Sequence, residues 1–329
     1  MIAKSHGLVV LAALGAFVGS PLRAAETVNV ATPSRVIFAI PFWIAQHKGY
    51  FKDEGIEAKL EIVPSGRQMT EQLRSGATHI TIVGPDATII DATKGGPMRI
   101  LAGIVRKPPL FLIAKPSIKT FADLRGANIG VLSVTEGSSK LLVKMLRAEG
   151  VSPTDLKINP VGGAPARWTL LKDGKIDAGM QPLPLSDEAE AAGFTNLGWA
   201  GKYEPDWQFT TVNANSEWTS RNPELAAKFV RALLRGQQFL FANPDEVAKI
   251  AAIELKTPEA LAARSLKEAM RLGILDPKLD WSEVGLTKMY ENMQADGVMP
   301  AGQTLDLNKV IDAQFLRKAQ SSIAGSGSR

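Results

Sequence analysis

Short apolar runs alternate with amphipathic segments through the first two thirds of the chain. The segments between the runs repeat apolar residues at helical spacing, as Ile40, Trp43, Ile44 and Phe51 do. Such alternation is typical of parallel strands that are joined by covering helices. The runs predict strands over residues 28–32, 58–63, 79–83, 128–131 and 178–181, and the intervening segments predict helices over residues 40–54, 67–75, 138–149 and 164–173.

This pattern occurs twice, which indicates two α/β units. Two lobes are also expected from length, because about 300 residues exceed what one hydrophobic core usually serves. We interpret residues 100–114 and 207–215, which are extended in pattern, as the two crossings between the lobes. The predicted boundaries are residues 26–105 for the first part of lobe 1, residues 106–212 for lobe 2 and residues 213–320 for the second part of lobe 1.

The last third of the chain is predicted to be helical. Asn222-Pro223, Asn243-Pro244 and Thr257-Pro258 each place a capping side chain before a proline, and Asp280 with Glu283 has the spacing of a capping box. We expect these helices to pack on lobe 1 and the small, polar segment 321–329 to be a disordered tail.

Residues 1–25 have the pattern of a secretory signal peptide. Lys4 precedes an apolar run that is too short to span a bilayer, and the small pair Ala24-Ala25 ends the segment. The chain has no cysteine, so it offers no thiolate metal site and no attachment point for a lipoprotein anchor. The expected product is an exported, unanchored protein of the periplasm.

Charge and chemistry exclude several classes of protein. The formal net charge is +5, and the basic residues are scattered, so nucleic acid binding is not indicated. Only His47 and His79 lie beyond the signal segment, and no nucleophile, zinc or phosphate-loop motif is present. We therefore predict no catalytic residue, no metal and no cofactor.

Two stretches carry a resemblance to a known family. One is Gly49-Tyr50-Phe51 with Gly55-Ile56 at the end of the first helical segment, and the other is the run Phe121 to Val131. They resemble the solute-binding proteins of ABC importers, of the nitrate, sulfonate, taurine and thiamine-precursor type. The resemblance implies a two-lobed type II periplasmic binding protein, in which each lobe is a mostly parallel sheet flanked by helices, with a helical C-terminal extension.

The same resemblance implies function and partners. The protein is expected to be a monomer that captures a small, anionic organic solute by hinge bending and delivers it to an ABC permease in the inner membrane. Enzymes of the pyrimidine-precursor and menaquinone pathways share the fold, so an enzyme remains an alternative. The fungal precursor synthases have a cysteine-rich motif, however, and this chain has no cysteine. A soluble partner of a sensor is a third possibility.

Candidate ligand-binding residues follow from topology, because ligands of open α/β sheets bind outside the carboxyl ends of the strands. The loops at those positions, together with the first crossing, supply the candidates Ser34, Arg35, Phe42, Trp43, Ser65, Gly84, Pro85, Arg106, Ser133, Thr135, Ser138, Ser139, Trp168 and Gln181.

The segment 133–139 is the sharpest candidate, because hydroxyls at a helix N-terminus can hold a sulfonate or carboxylate. Simple N-capping explains the same residues equally well. Phe42 and Trp43 offer an apolar wall for a solute, or else belong to the core, and Trp168 presents the same choice. The chemical identity of the solute is not readable from the sequence.

Overall fold

The computed structural model of the protein describes residues 24–132, 134 and 137–326. Most of the expected signal peptide, and the candidates Ser133 and Thr135, lie outside these residues. The strands of the described part are β1 (Glu26–Thr32), β2 (Ile56–Ile62), β3 (Ile80–Val83), β4 (Met98–Val105), β5 (Leu110–Ala114), β6 (Asn128–Val131), β7 (Lys157–Pro160), β8 (Ala178–Pro182), β9 (Thr195–Trp199) and β10 (Thr210–Asn215).

Helices cover both sheets and form the C-terminal third. They are α1 (Ile40–His47), α2 (Tyr50–Asp53), α3 (Gly66–Ser75), α4 (Asp86–Thr93), α5 (Gly137–Ala148), α6 (Ala164–Lys172), α7 (Leu185–Ala191), α8 (Ser216–Arg221), α9 (Pro223–Ala242), α10 (Pro244–Leu255), α11 (Glu259–Arg271), α12 (Glu283–Ala295), α13 (Leu307–Val310) and α14 (Gln314–Ser326). Within the described residues, no helix is both long and apolar enough to cross a membrane.

The strands form two five-stranded sheets with the same arrangement, which confirms the two-lobed α/β prediction. The first has the order β2-β1-β3-β10-β4 and the second the order β7-β6-β8-β5-β9. In each sheet four strands run in the same direction, three of them adjacent, while the fourth strand in spatial order, β10 or β5, runs antiparallel to both neighbours. The sheets are therefore mixed, with a parallel half that carries the strand-end loops.

The chain crosses between the sheets at residues 106–109, the first crossing, and again at residues 200–209, the return crossing. Strand β10 belongs wholly to the first sheet, because it pairs with β3 and β4 from Thr210 onward. A lobe boundary at residue 212 would cut through this strand, so that expectation is corrected to a boundary before Thr210.

The first predicted helix is broken into α1 and α2. Gly49 lies between them with φ of 74°, a left-handed conformation that ends α1 and that glycine adopts without steric cost. Phe51 of α2 still packs against Phe42 of α1, so the apolar face continues across the break.

The C-terminal helices contact both lobes, whereas the sequence analysis assigned them to the first. Helix α9 packs on α1 and α14. Tyr290 of α12, however, joins an apolar cluster with Leu141 and Met145 of α5 in the second lobe. The later helices reach the second lobe because the link between α11 and α12 runs along β4. Gly103 N–H of β4 donates to Leu279 O of this link at 2.8 Å.

The expected disordered tail is also corrected in part. Helix α14 continues to Ser326, and Ile323 packs against the main apolar cluster, which anchors a segment that is otherwise small and polar. Residues 327–329 lie outside the described part of the chain.

Asp177 fastens three strands of the second sheet at one end. Its carboxylate accepts hydrogen bonds from Lys115 Nζ at 2.6 Å and from Asn128 N–H at 2.7 Å. Burial by itself raises the pKa of Asp177, but the bonds from Asn128 and Lys115 outweigh burial and leave the pKa lowered. The ionised carboxylate therefore stabilises the fold above the unfolded-state pKa of about 3.9, and this contribution is lost as pH falls through the lower folded-state pKa.

Asp177→Asn is expected to lower the free energy of unfolding at pH 7 by about 1 to 2 kcal/mol, since charge-assisted hydrogen bonds are weakened. The difference from the wild type should shrink as pH falls below about 4, because the wild-type carboxylate is then protonated too. Urea unfolding across this range measures both. Asp173→Asn is the matched control, since Asp173 is exposed and lies 3.5 Å from Lys175. Equal losses in the two variants would contradict the prediction.

Candidate ligand-binding cleft

The strand-end loops of both lobes meet at the return crossing. From the first lobe, Phe38 follows β1 and packs edge-on against Phe209, with ring centroids 5.0 Å apart. From the second lobe, the start of α5 approaches Trp207, since a side-chain carbon added at Gly137 would stand 3.5 Å from Cζ2 of Trp207. This convergence defines the candidate cleft, at the position that the strand-end rule predicts.

The described walls of the cleft are largely apolar. Phe38 and Phe209 are half-buried, and Leu132 and Val134, just after β6, are 49% and 59% exposed. Leu132 and Val134 are two positions apart in the loop after β6, and exposed large apolar side chains that lie together often mark a binding surface. The loops after β1 and β6 therefore both present apolar side chains.

Helix N-termini supply the polar part of the cleft. Helix α5 begins at Gly137, and its next residues are Ser138, which is half-buried, and Ser139, which is buried. The positive end of a helix dipole favours an anionic group at such a position. Ligand contact by Ser138 and Ser139 stays a prediction.

Asp86 and Gly84 shape the opposite wall, after β3. A side-chain carbon at Gly84 would stand 2.7 Å from Asp86 Oδ2 and 3.5 Å from Phe209 O, so the carboxylate lies directly over the glycine backbone. Any larger residue at position 84 would displace Asp86 or the return crossing. Pro85 is buried between them and precedes α4.

Arg167 holds the loop after β7 in place. Its guanidinium donates to Gly162 O at 2.8 Å and to Met180 O at 2.9 Å, and the residue is 4% exposed. Arg167 was not among the candidates, which included its neighbour Trp168 instead. Adjacent helical residues point about 100° apart, and only their positions in the fold decide which one faces the strand ends.

Three aromatic candidates belong to the core, which corrects their assignment to the ligand site. Phe42 has no exposed surface, and Trp43 is 6% exposed. Trp168 packs edge-on against Phe194 and donates from Nε1 to Glu188 at 2.8 Å. All three side chains are at most 6% exposed and belong to the main apolar cluster.

The two arginine candidates make ion pairs with the C-terminal helical part, and their contact with a ligand stays a prediction. Arg35 donates to Glu254 Oε2 at 2.9 Å and stacks its guanidinium over the Trp43 ring at 5.0 Å. Arg106 donates to Asp276 Oδ2 at 2.7 Å beside the first crossing. These ion pairs fasten the C-terminal helical part to the first lobe and to the crossing.

The remaining candidates have local structural roles. Ser65 caps α3 by accepting from Gln68 N–H at 3.2 Å, and Ser34 is half-buried beside Arg35. Gln181 is fully buried, and one orientation of its amide lets it donate to Ala164 O and accept from Trp168 N–H, each at 3.2 Å. It thereby ties β8 to the start of α6.

Sequence reasoning missed the two residues that pair across the mouth of the first lobe, Phe38 and Phe209. Phe38 lies six residues beyond β1 in a single 3-10 turn, and Phe209 immediately precedes β10. An aromatic residue in the segment that leads away from or into a strand was the available signal. Phe42 was chosen because it follows the loop after the first strand, but the chain has already entered the buried helix α1 at that position.

The chain was compared with known proteins. A family model described as NMT1/THI5 like matches residues 38–247. A 4-amino-5-hydroxymethyl-2-methylpyrimidine phosphate synthase of Saccharomyces cerevisiae is 26% identical over 227 residues, which cover 63% of this chain and 64% of that protein. A Brucella abortus binding protein is 25% identical over 241 residues, which cover 69% of this chain and 73% of that protein.

The fold is also similar to solved structures. The alkanesulfonate-binding protein SsuA from Xanthomonas axonopodis pv. citri, bound to MOPS, superposes with a TM-score of 0.69 and 15% identity, over 87% of this chain and 98% of that chain. This likeness establishes the periplasmic-binding-protein fold. The chain spans less than two thirds of the length of the yeast relative.

Proposed function

The chain belongs to the NMT1/THI5-like family, and from this premise we propose that it is the substrate-binding component of an ABC importer. It captures a small organic solute in the cleft between its lobes and delivers the solute to a membrane permease. The proposal includes export to the periplasm, action as a monomer, and a solute that carries a sulfonate-like or carboxylate-like group.

One observation carries this proposal, namely the convergence of the strand-end loops of both lobes at the return crossing. The half-buried Phe38–Phe209 pair offers an apolar wall, and the start of α5 places the positive end of its helix dipole toward an anion. A solute with an apolar body and one anionic end would contact both lobes at once. Binding that requires both lobes is the basis of hinge closure.

An enzyme is the second candidate, because the yeast relative is named as a synthase. The two histidines of the described chain do not favour it. His47 pairs with Glu254 at 2.7 Å on α10, and His79 stacks on Trp218 of α8 with ring centroids 4.9 Å apart. Burial lowers the pKa of His79, whose Nδ1 accepts from Asn29 N–H. Both side chains are thus committed to contacts within the first lobe and its helices.

Thermal unfolding against a panel of solutes tests the proposal. The protein is refolded from urea to remove carried solute and heated with sulfonates, nitrate, aromatic carboxylates, taurine or aminopyrimidines. A solute at about 100 times its Kd should add about 2.7 kcal/mol of stability and raise Tm by several degrees. Phe38→Ala should weaken binding by about tenfold or more, since the removed ring covers apolar solute.

Phe239→Ala is the matched control for Phe38→Ala. Phe239 is also half-buried but packs against Tyr50 on the outer face of α9, so its loss should leave solute affinity unchanged. Equal affinity losses in both variants, or no stabilisation by any solute class, would count against the cleft. Recovery of a chemically altered solute after incubation would favour the enzyme.

A further inference from the structure

Helices α7 and α11 join the two lobes through buried polar contacts away from the cleft. Asp187 of α7 contacts Arg264 Nε at 3.0 Å with one carboxylate oxygen and accepts a hydrogen bond from the Ser265 hydroxyl with the other. Arg264 also pairs with Glu190, one turn along α7. We propose that these four residues form an interlobe clamp that holds the proposed receptor in the lobe orientation seen here.

The clamp is built into the interface and does not lie loosely on its surface. Asp187 is 4% exposed and Ser265 is 1% exposed. Burial raises the pKa of Asp187, and the Ser265 hydroxyl and the Arg264 charge oppose that effect without reversing it. A buried carboxylate that loses its partners is strongly unfavourable, so separation of α7 from α11 must be accompanied by hydration of Asp187.

The position of the clamp makes it sensitive to hinge motion. Helix α11 ends beside the first crossing, where Lys107 Nζ donates to Leu272 O at 3.3 Å and Arg106 N–H donates to Ile274 O at 2.8 Å. Arg264 stands seven residues back along the helix from Arg271, about 10 Å from that crossing. A lobe rotation of about 20° around the crossing would displace the clamp by roughly 3.5 Å, which breaks hydrogen bonds.

A cavity beside the clamp leaves room for this motion. It measures 470 Å³ and is lined by Phe111 and Asn196 of the second lobe and by Lys267 and Arg271 of α11. The two helices are therefore not close-packed along their full length. The clamp residues Asp187, Glu190 and Arg264 also line this cavity, while Ala189 of α7 and Leu266 of α11 share the main apolar cluster.

Arg264 offers a clean way to loosen the clamp. Its side chain is 51% exposed, so Arg264→Gln should fold, and the substitution removes the ion pairs to Asp187 and Glu190. Arg271→Gln is the matched control, because Arg271 is 64% exposed on the same helix and pairs only with Glu268 of that helix among described residues. Both variants lose one positive charge from α11.

Spin-label distances measure the outcome. The chain has no cysteine, so Gln68→Cys and Ala166→Cys place one label at the start of α3 and one at the start of α6, both at exposed positions. These helices begin at the strand ends of opposite lobes. Without added solute, Arg264→Gln should raise the ratio of separated to clamped molecules about fivefold relative to the unsubstituted double-cysteine protein, and Arg271→Gln should leave it unchanged.

Identical distance distributions for Arg264→Gln and Arg271→Gln would overturn the clamp. Glu190→Gln removes one of the two ion pairs of Arg264 and should shift the distance distribution in the same direction by a smaller amount. An unchanged distribution in Glu190→Gln would also count against the clamp. The role of the clamp in a receptor rests on the proposed function, but its effect on the separation of the lobes does not. The label distances need no solute, so their failure is distinguishable from failure of the solute panel.

Discussion

Replacing Phe42 by alanine is expected to destabilise the protein by about 3 to 5 kcal/mol, as deletion of a large aromatic side chain from a packed core does. Phe42 has no exposed surface, and its ring centroid lies 5.1 Å from that of Phe51 and 5.4 Å from that of Trp43. Phe51 in turn stacks on Phe229 of α9 at 5.2 Å. Loss of Phe42 therefore removes the centre of a cluster that joins α1, α2 and α9.

Urea unfolding and solute affinity together give the decisive comparison. Phe42→Ala should lose stability and keep its affinity, whereas Phe38→Ala should lose affinity and keep most of its stability. Phe42→Leu, a smaller change in volume, should cost about 1 to 1.5 kcal/mol and serves if the alanine variant does not fold. A loss of affinity in Phe42→Leu with little loss of stability would return Phe42 to the ligand site.

A single added methyl group at Gly236 is expected to cost about 2 kcal/mol of stability. Gly236 lies where α9 crosses α1, and a side-chain carbon there would stand 2.4 Å from Pro41 O and 3.1 Å from Ala45 N. Both are backbone atoms, so the helices must move apart. Because the close atoms belong to backbone, the cost of overpacking should lie at the upper end of the usual range, about 3 kcal/mol, and the gain in helix propensity of about 1 kcal/mol from alanine leaves about 2 kcal/mol.

Gly66→Ala is the control for Gly236→Ala. Gly66 begins α3 and has no neighbouring atom within 4 Å of the added carbon, so alanine there should be neutral or slightly stabilising. Thermal unfolding of both variants gives the comparison. A stabilised Gly236→Ala protein would show that α1 and α9 are packed less closely than the structure has them.

The sequence was most informative where local chemistry alone determines the residue at which a helix begins. Asn222-Pro223 and Asn243-Pro244 identified the starts of α9 and α10, because proline at the first helical position needs no tertiary contact. The start of α12 was less exact. Ser282, and not Asp280, caps that helix by accepting from Gly285 N–H at 3.0 Å. Both residues have a side chain that can cap a helix, and only the path of the backbone selects one of them.

Residues of the cleft were harder to identify than the fold. Phe38 and Phe42 lie one helical turn apart and have the same apolar pattern, yet one pairs with Phe209 and the other is enclosed by α9. Which phenylalanine is buried depends on where the segment after β1 ends and helix α1 begins. Likewise, the contact of α11 with Asp187 joins residues far apart in sequence, and no local pattern encodes such a meeting.

The place of β10 in the first sheet has a consequence for synthesis of the protein. This strand fills the position between β3 and β4, but its residues follow the whole second lobe in the chain. A nascent chain that has reached residue 209 thus has all strands of the second sheet, residues 110–199, and a first sheet with an open centre. The second lobe can be completed first on the ribosome, and a truncated product would expose unpaired strand edges that invite aggregation.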